Sequence, residues 1–350
     1  MNYASVFKLA VAFVGVFLGA GFVSGQELWQ FFACFGAWGF LGFLLSAALM
    51  FLVDYALLHA AKRVRTTNIG KLILSGDHPK LHALIDGMQC LLLFGILVIM
   101  IAGAAALLRD LTGLHPALCG AVFALAVLAA ALFDLRGVVT VFSILVPVTC
   151  ALAVLMGLAI LFRQDFHLEP TAGSFSALLP NWWISGITYA AYNLFGGIGI
   201  LVSFSALLPD RKTIRRGLLL GALILIVLTF CILAAMVAVP ASGQTELPSA
   251  TLASQIHPVL GSMYNLLMCF GMFSSAMSSL VALLDQGSFH WPVFQTHRKL
   301  CLPIALLLAS VLSLVGFGNL IGVIYPIFGY ASIPLLGMLV WNWWKHRKEE

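Results

Sequence analysis

Long apolar segments separated by short polar loops follow one another along the whole chain. A membrane-spanning helix needs about 20 predominantly apolar residues, and ten segments meet that requirement. The pattern therefore predicts an all-α polytopic membrane protein with ten transmembrane helices. The predicted spans cover residues 6–33, 37–60, 84–108, 115–133, 138–162, 182–208, 214–240, 251–284, 300–317 and 319–344.

Polar and glycine residues interrupt the first span near its middle. Gly19, Gly21 and Gly25 fall within seven residues, and Glu27 follows them. Each glycine costs about 1 kcal/mol of helix propensity relative to alanine. Hydrocarbon offers no substitute partner for freed backbone groups, so broken spans occur where the backbone lines a cavity or binds a ligand. We therefore predict that this span is discontinuous and marks a binding site.

A second glycine-rich stretch, from Tyr192 to Gly199, lies in span six. Spans one and six begin the two halves of a ten-span chain, and interruptions at corresponding positions indicate an inverted-repeat transporter. We therefore expect helix 6 to be discontinuous too, within one transporter domain of residues 1–350 whose repeats cover about 1–163 and 180–345. Close helix packing at small residues is the alternative explanation for the glycines.

The composition supports a membrane location. Hydrophobic residues make up 62% of the 350 residues and charged residues only 9%, against about 25% charged in a soluble domain. The seven cysteines have no metal-ligand spacing and are typical of small buried apolar side chains. The first apolar run continues past Gly25 without an Ala-x-Ala cleavage pattern, which argues against a cleaved signal peptide.

The basic residues indicate the orientation of the chain. Lys and Arg collect in cytoplasmic loops, and of the 18 in this chain only Arg109 and Arg163 would lie on the outer side if both termini are cytoplasmic. The net charge of +5 is then a topology signal, and nucleic-acid binding is not needed to explain it. The expected partners are the lipid bilayer and a small solute, while the oligomeric state stays open.

Span eight carries two serine pairs, Ser274-Ser275 and Ser278-Ser279, on one helical face. Hydroxyl oxygens beside freed backbone carbonyls suit a small hard cation. Membrane serines also bond back to their own helix or hold neighbouring helices together. The residues by themselves leave both interpretations open.

The stretch from Gly19 to Glu27, within the segment Val14 to Phe32, resembles the first span of the YkvI-like bacterial membrane proteins. That family is similar to the amino acid–polyamine–organocation superfamily and its LeuT-type five-plus-five inverted repeat. The resemblance implies a transporter of the bacterial inner membrane, with Na⁺ as a possible coupling ion and no other cofactor. It implies a Na⁺ site formed by the carbonyls of Gly15, Leu18 and Gly271 and the hydroxyls of Ser274 and Ser275.

The same resemblance places the solute between the breaks of spans one and six. Amides at the N-termini of half-helices carry partial positive charge, so we expect those around Gly21 to Ser24 and Gly197 to Gly199 to receive a carboxylate. Ordinary packing is the alternative for the two tyrosines. The residues expected to contact the solute are Gly19, Gly21, Phe22, Ser24, Tyr189, Tyr192, Asn193 and Gly197.

Four carboxylates lie within or at the ends of the spans. Glu27, in the outer half of span one, could gate the external vestibule or bind a proton, or it could be a structural carboxylate. Asp54 and Asp86 lie nearer the basic face, and we expect them in an inner gate or in structural ion pairs. Asp285 ends span eight on the inner side, and we expect it to belong to the gate.

These observations favour a secondary active transporter of a small organic solute, an amino acid or related carboxylate. Coupling to Na⁺ is favoured by the serine pair, and coupling to H⁺ through Glu27 is the alternative. A transporter-like channel or sensor is a second class of function, and an integral membrane enzyme is a third. The sequence has no Walker loop and no grouping of His, Asp or Glu typical of an enzyme, so we predict that the protein is not an enzyme.

Overall fold

The computed structural model describes residues 3–17, 19–64, 72–73, 78–133, 136–163, 176–205, 210–289 and 291–346. The regular elements there are helices, which agrees with the predicted all-α class. The α-helices are α1 (Tyr3–Phe17), α2 (Ala20–Ser24), α3 (Gln26–Phe31), α4 (Ala37–Val64), α5 (Pro79–Thr112), α6 (Pro116–Leu132), α7 (Arg136–Arg163), α8 (Trp182–Ser205), α9 (Arg211–Ala238), α10 (Pro248–Ile256), α11 (Pro258–Ser288), α12 (Val293–Thr296), α13 (Arg298–Ser313) and α14 (Phe317–His346).

Five of these helices are long and apolar enough to cross a membrane by length and composition. They are Ala37–Lys62, Pro79–Thr112, Arg211–Ala238, Pro258–Ser288 and Phe317–Lys345. Three shorter apolar helices, Ser5–Phe17, Pro116–Leu132 and Val148–Arg163, accompany them. The chain is therefore a multi-pass membrane protein.

Proline after histidine sets the start of several helices. Pro116 and Pro258 occupy first-turn positions, where the missing N–H is not needed. The preceding His115 and His257 are the N-caps, and each accepts a hydrogen bond on Nδ1 from a first-turn amide at 3.2 Å. These caps satisfy amides that the helix itself leaves unpaired.

The cap at His257 corrects the prediction for span eight. The apolar segment at 251–284 was expected to be one helix, but His257 has extended dihedrals (φ −162°, ψ 135°). The short helix α10 therefore ends at Ile256, and the long helix α11 starts afresh at Pro258. Apolar composition alone does not distinguish one tilted span from a span preceded by a separate helix.

The predicted break in span six is also wrong for this structure. α8 runs as one helix from Trp182 to Ser205, through all of its glycines. A Cβ at Gly197 would overlap the Val16 side chain of α1, and a Cβ at Gly196 would lie 3.5 Å from Leu92 of α5. These glycines let neighbouring helices approach closely, which was the alternative interpretation.

The helices pack around a common interior. α4 and α8 cross at small residues, and α14 packs against both. α1 packs mainly on α9, while α5 packs on α11, and α7 contacts both α9 and α11. α6 and α13 lie outside α5. Because α1 and α11 rest on different neighbours, a space remains between them.

Candidate functional site

The first apolar segment is divided into three helices by two glycines. α1 ends at Phe17, and Gly19 has an extended conformation (φ −75°, ψ 172°) before α2 begins. Gly25 then adopts a left-handed conformation (φ 81°, ψ −12°) that glycine tolerates without strain. The chain therefore turns twice inside the membrane segment and leaves the last carbonyls of α1 without amide partners in their own helix.

Ser24 stabilises the second of these turns. Its Oγ donates to the Gly21 carbonyl oxygen at 2.7 Å and accepts from the Gln26 amide at 3.3 Å. The side chain is fully buried and does not line the cavity described next. Its role in the structure is to shape the backbone, and the prediction of solute contact finds no support in its position.

A cavity of about 880 Å³ lies beside the break. Its walls come from α1, α2, α3, α5, α7, α8, α9, α11 and α14. The lining residues are Val11, Val14, Gly15, Val16, Phe17, Gly19, Gly21, Glu27, Gln89, Leu93, Ile96, Met100, Cys150, Ala151, Tyr192, Asn193, Gly196, Gly197, Gly199, Ile224, Leu228, Ser274, Ser275, Ser278, Ser279, Ala282, Gln286 and Tyr325.

Glu27 forms the polar end of this cavity. Only 4% of its surface is exposed, and its Oε1 accepts a hydrogen bond from the Tyr192 hydroxyl. Its Oε2 lies against the Gly21 backbone, where a Cβ at position 21 would overlap that oxygen. Gly21 therefore provides the space that the carboxylate occupies after the chain turns at Gly25.

Aromatic rings surround the carboxylate. The Tyr192 ring stacks on Tyr325 at a centroid distance of 4.5 Å and an interplanar angle of 12°. Tyr189 meets Tyr192 edge-on at 5.5 Å, and its buried hydroxyl has no geometrically satisfactory hydrogen-bond partner. Asn193 Nδ2 donates to the Tyr189 carbonyl oxygen at 3.1 Å. Tyr192, Tyr325 and Asn193 reach the cavity, whereas Tyr189 lies behind them.

The residues predicted for Na⁺ binding are only partly brought together. Gly15, Ser274 and Ser275 all line the cavity, from the α1 and α11 sides. Gly271 is buried and does not line it, although a Cβ there would meet no atom within 4 Å. Leu18 lies outside the described residues. Ser278 and Ser279, one turn along α11, also face the cavity.

Of the residues predicted for solute contact, some line the cavity and others are packed in the interior. Gly19, Gly21, Tyr192, Asn193 and Gly197 line the cavity. The remaining three, Phe22, Ser24 and Tyr189, are packed in the interior with at most 1% of their surface exposed. Because α8 is unbroken, the amides from Gly197 to Gly199 belong to its helical ladder, and span six has no half-helix N-terminus at this point.

Polar residues that sequence reasoning missed lie where α5 and α11 meet. Gln286 Nε2 of α11 donates to Asp86 Oδ1 of α5 at 3.0 Å. Gln89, one turn along α5, lines the cavity and is 4% exposed. Asp86 is buried but does not line the cavity. The available signal was one glutamine inside predicted span three and another two residues past the end of predicted span eight, since buried amides need partners.

The two other predicted gating carboxylates lie away from the cavity. Asp285, which was predicted for the gate, forms an exposed ion pair with Arg298 Nη1 at 2.6 Å. Asp54 is completely buried in α4, and neither of its oxygens has a hydrogen-bond partner. Among the described residues, Asp54 therefore forms no ion pair.

The exposure of the lining residues differs between the two ends of the cavity, and we infer from it that the cavity opens toward one face of the helix bundle. Gly15, Gly19, Gly199 and Ser278 are exposed along its open side, which carries the start of α1. We call this the N-terminal face.

Direct contacts close the opposite side. On α3, Gln30 Nε2 donates to the Gly318 carbonyl oxygen at 2.8 Å, and the Phe31 carbonyl oxygen accepts from Ser185 Oγ at 2.6 Å. On α2, the Val23 carbonyl oxygen accepts from the Tyr264 hydroxyl at 2.7 Å. α2 and α3 are therefore held in place from several neighbouring helices.

Within the described part of the chain, no three His, Cys, Asp or Glu side chains group together as ligands for a metal ion. The oxygen groups at the cavity are hydroxyls, amides, backbone carbonyls and the single carboxylate of Glu27. This set favours alkali cations or polar organic groups over transition metals.

Solved structures with the same fold are membrane transporters. A mutant of the manganese transporter from Eremococcus coleocola aligns with a TM-score of 0.62 at 16% identity, over 96% of this chain and 78% of that one. MhsT in complex with L-phenylalanine aligns with a TM-score of 0.59 at 16% identity, over 95% and 87%. A Na⁺-coupled sialic acid symporter aligns with a TM-score of 0.54 at 14% identity, over 97% and 85%. The likeness is to transporters rather than to enzymes.

Sequence similarity agrees with a membrane protein. The chain is 26% identical over 344 residues to YkvI, an uncharacterised membrane protein of Bacillus subtilis (strain 168), covering 96% of this chain and 95% of that protein. No protein-family model matches the chain. The predicted resemblance to YkvI-like proteins with a transporter fold is thus confirmed.

Proposed function

We propose that the protein is a secondary active transporter of a small organic solute, with amino acids the favoured class, working by cation-coupled alternating access. The observation that carries this proposal is the cavity at the divided first helix, which opens on one face and is closed on the other. Broken membrane helices with binding groups near the midplane are typical of such transporters. A structure open on one side only represents one state of that cycle.

The packing of the helices supports a five-plus-five inverted repeat, in which spans one to five correspond to spans six to ten. α4 (span two) packs on α8 (span six), and the corresponding α9 (span seven) packs on α1 (span one). α7 (span five) contacts α9 and α11, and the corresponding α14 (span ten) contacts α4 and α5. We propose repeats of about 1–163 and 180–345 and ten membrane spans on this basis.

The basic residues support an orientation with both termini in the cytoplasm. In that orientation the N-terminal face is the cytoplasmic one, so the structure represents an inward-facing state. We propose a location in the bacterial inner membrane, and the likeness to YkvI, a bacterial membrane protein, supports it.

For the coupling ion we propose Na⁺, held between α1 and α11. Gly15, Ser274 and Ser275 share the cavity, and the last carbonyls of α1 are free of helical partners there. Hydroxyl and carbonyl oxygens are suitable ligands for such an ion. One solved structure with this fold is a Na⁺-coupled symporter.

The test is uptake of amino acids into proteoliposomes with and without a Na⁺ gradient. Replacing Ser274 and Ser275 by alanine should raise the Na⁺ concentration for half-maximal stimulation by about tenfold or more, because two oxygen ligands are lost. The matched control is the double variant Ser310→Ala and Ser313→Ala on α13, whose hydroxyls bond within their own helix. Unchanged Na⁺ stimulation in the first variant would overturn the ion site, and a parent protein that transports none of the amino acids would overturn the solute class.

A further inference from the structure

We infer that the solute is recognised through a protonated amine, and that Glu27 is the side chain that binds it. This inference rests on the proposed transport function and specifies the solute group that the cavity selects. It assigns Glu27 to the solute rather than to a gate.

The first argument is the charge of the cavity. Glu27 is the one ionisable carboxylate among the described lining residues, and none of those residues is Lys, Arg or His. An ionised carboxylate inside the membrane is costly unless a positive charge lies beside it. Since the lining residues supply no such charge, a cationic ligand is the complementary partner.

The second argument is the position of the carboxylate. Tyr192 donates to Oε1, which fixes the side chain, while Oε2 lies beside the glycine backbone of Gly21 at the cavity wall. The turn at Gly25 directs the Glu27 side chain back across α2 toward the break. The Glu27 carboxylate therefore faces the cavity and is not engaged in an ion pair with another described lining residue.

The third argument concerns the groups that surround the Glu27 carboxylate in the cavity. The stacked rings of Tyr192 and Tyr325 border the same end of the cavity, and aromatic faces attract cations. The last turn of α1, including Gly15 and Phe17, contributes the partly negative end of a helix to the cavity wall. An ammonium group has three donors and no acceptor, so a carboxylate and backbone carbonyls match it.

The fourth argument concerns solutes that carry only a carboxylate. The amides of Gly197 to Gly199 are engaged inside α8, and α2 has only five residues. Within the described residues, the cavity therefore lacks the pair of half-helix N-termini that would receive an anion, whereas Glu27 would repel one. The volume of about 880 Å³ leaves room for an organic amine rather than a bare ion alone.

The experiment uses solutes that differ by one group. L-phenylalanine, phenethylamine and 3-phenylpropionate form one set, and L-norvaline, butylamine and pentanoate form a smaller set. Thermal stabilisation of the purified full-length protein is measured with each, since a ligand of the folded state raises the melting temperature by mass action. We expect at least one compound with an amine to stabilise the protein and both compounds with only a carboxylate to have no effect.

The variants test the role of Glu27. Glu27→Gln retains an acceptor for Tyr192 and removes the charge, so the affinity for the amine should fall by about 10- to 100-fold. Glu27→Asp keeps the charge and should recover part of the binding. Glu246→Gln, outside the cavity lining, is the matched control and should bind like the parent.

The possible outcomes distinguish a failure of the amine assignment from a failure of the proposed transport function. Amine binding that is unchanged in Glu27→Gln, or equal stabilisation by the carboxylates, would overturn the inference while leaving the transport proposal intact. Stabilisation by NaCl alone that is lost in Glu27→Gln, with no response to amines, would instead assign Glu27 to an inorganic cation. Uptake of no solute at all by the parent protein would overturn the transport function itself.

Discussion

At the scale of single residues, the pairing of Gly21 with Glu27 organises the site. The carboxylate occupies the place where any other residue at position 21 would carry its Cβ. Gly25 is needed for a different reason, because its positive φ of 81° lets the chain turn between α2 and α3. Gly21 and Gly25 therefore have different structural roles. Their low helix propensity, which they share, does not distinguish these roles.

The Gly21 contact leads to a prediction. In Gly21→Ala the new methyl group displaces the Glu27 carboxylate and breaks its bond with Tyr192, so the affinity for the amines above should fall by about tenfold. Gly337→Ala in α14 is the control, since a Cβ there meets no atom within 4 Å and the residue does not line the cavity. Thermal-shift titrations of both variants give the comparison, and equal losses in the two would contradict the steric explanation.

At the scale of helices, close approach between backbones holds the bundle together. Ser46 Oγ of α4 donates to the Gly186 carbonyl oxygen of α8 at 2.7 Å. A Cβ at Gly42 would lie 2.9 Å from the Trp182 carbonyl oxygen. Small residues permit this approach, and hydrogen bonds between helices follow from it. This crossing supports α8, which carries Tyr192 and Asn193 into the cavity.

Two alanine substitutions test this crossing. Gly186→Ala should destabilise the protein by about 1–3 kcal/mol, because the methyl group meets the α4 backbone. Gly337→Ala in α14 should be neutral or stabilising by up to about 1 kcal/mol, because nothing lies within 4 Å of that position. The melting temperatures of the two variants and the parent protein, measured in the same detergent, give the comparison. A Gly186 variant as stable as the parent would contradict the packing argument.

At the scale of the whole molecule, the cavity faces one side. α2 and α3 are fastened to neighbouring helices by several long-range hydrogen bonds, whereas the walls formed by α1 and α11 are exposed to the cavity. For solute to cross, these contacts on the far side must open while α1 and α11 approach one another. The structure therefore locates the two regions that would have to change in alternating access.

A labelling experiment tests the direction of opening. Ser278→Cys, in a chain with the cavity-lining Cys150 replaced by alanine, should react with a membrane-impermeant thiol reagent added to inside-out membrane vesicles. Right-side-out vesicles should show much slower labelling, because the opposite side is closed. The Cys150→Ala chain without the new cysteine gives the background. Faster labelling in right-side-out vesicles would reverse the proposed orientation.

Several features of this protein follow from its sequence. Runs of about 20 apolar residues have one stable arrangement in hydrocarbon, the helix, because every backbone group must be satisfied within the segment. The weak point near Gly19 and Gly25 could be located because glycine propensity is a local property. The likeness to YkvI and to a transporter fold was likewise visible in the first span.

Other features were decided only by the tertiary structure. The glycine-rich stretches of spans one and six look alike in sequence, but α8 stays helical through its glycines, and the Val16 side chain packs against Gly197. Asp54 and Glu27 are both single carboxylates in apolar segments, yet only Glu27 lines the cavity. Helix propensity is local, whereas the environment of a side chain depends on residues distant in the chain. For that reason the sequence determined the helical class and the position of the break in the first span. Packing determined whether α8 stays continuous and which polar groups meet at the break.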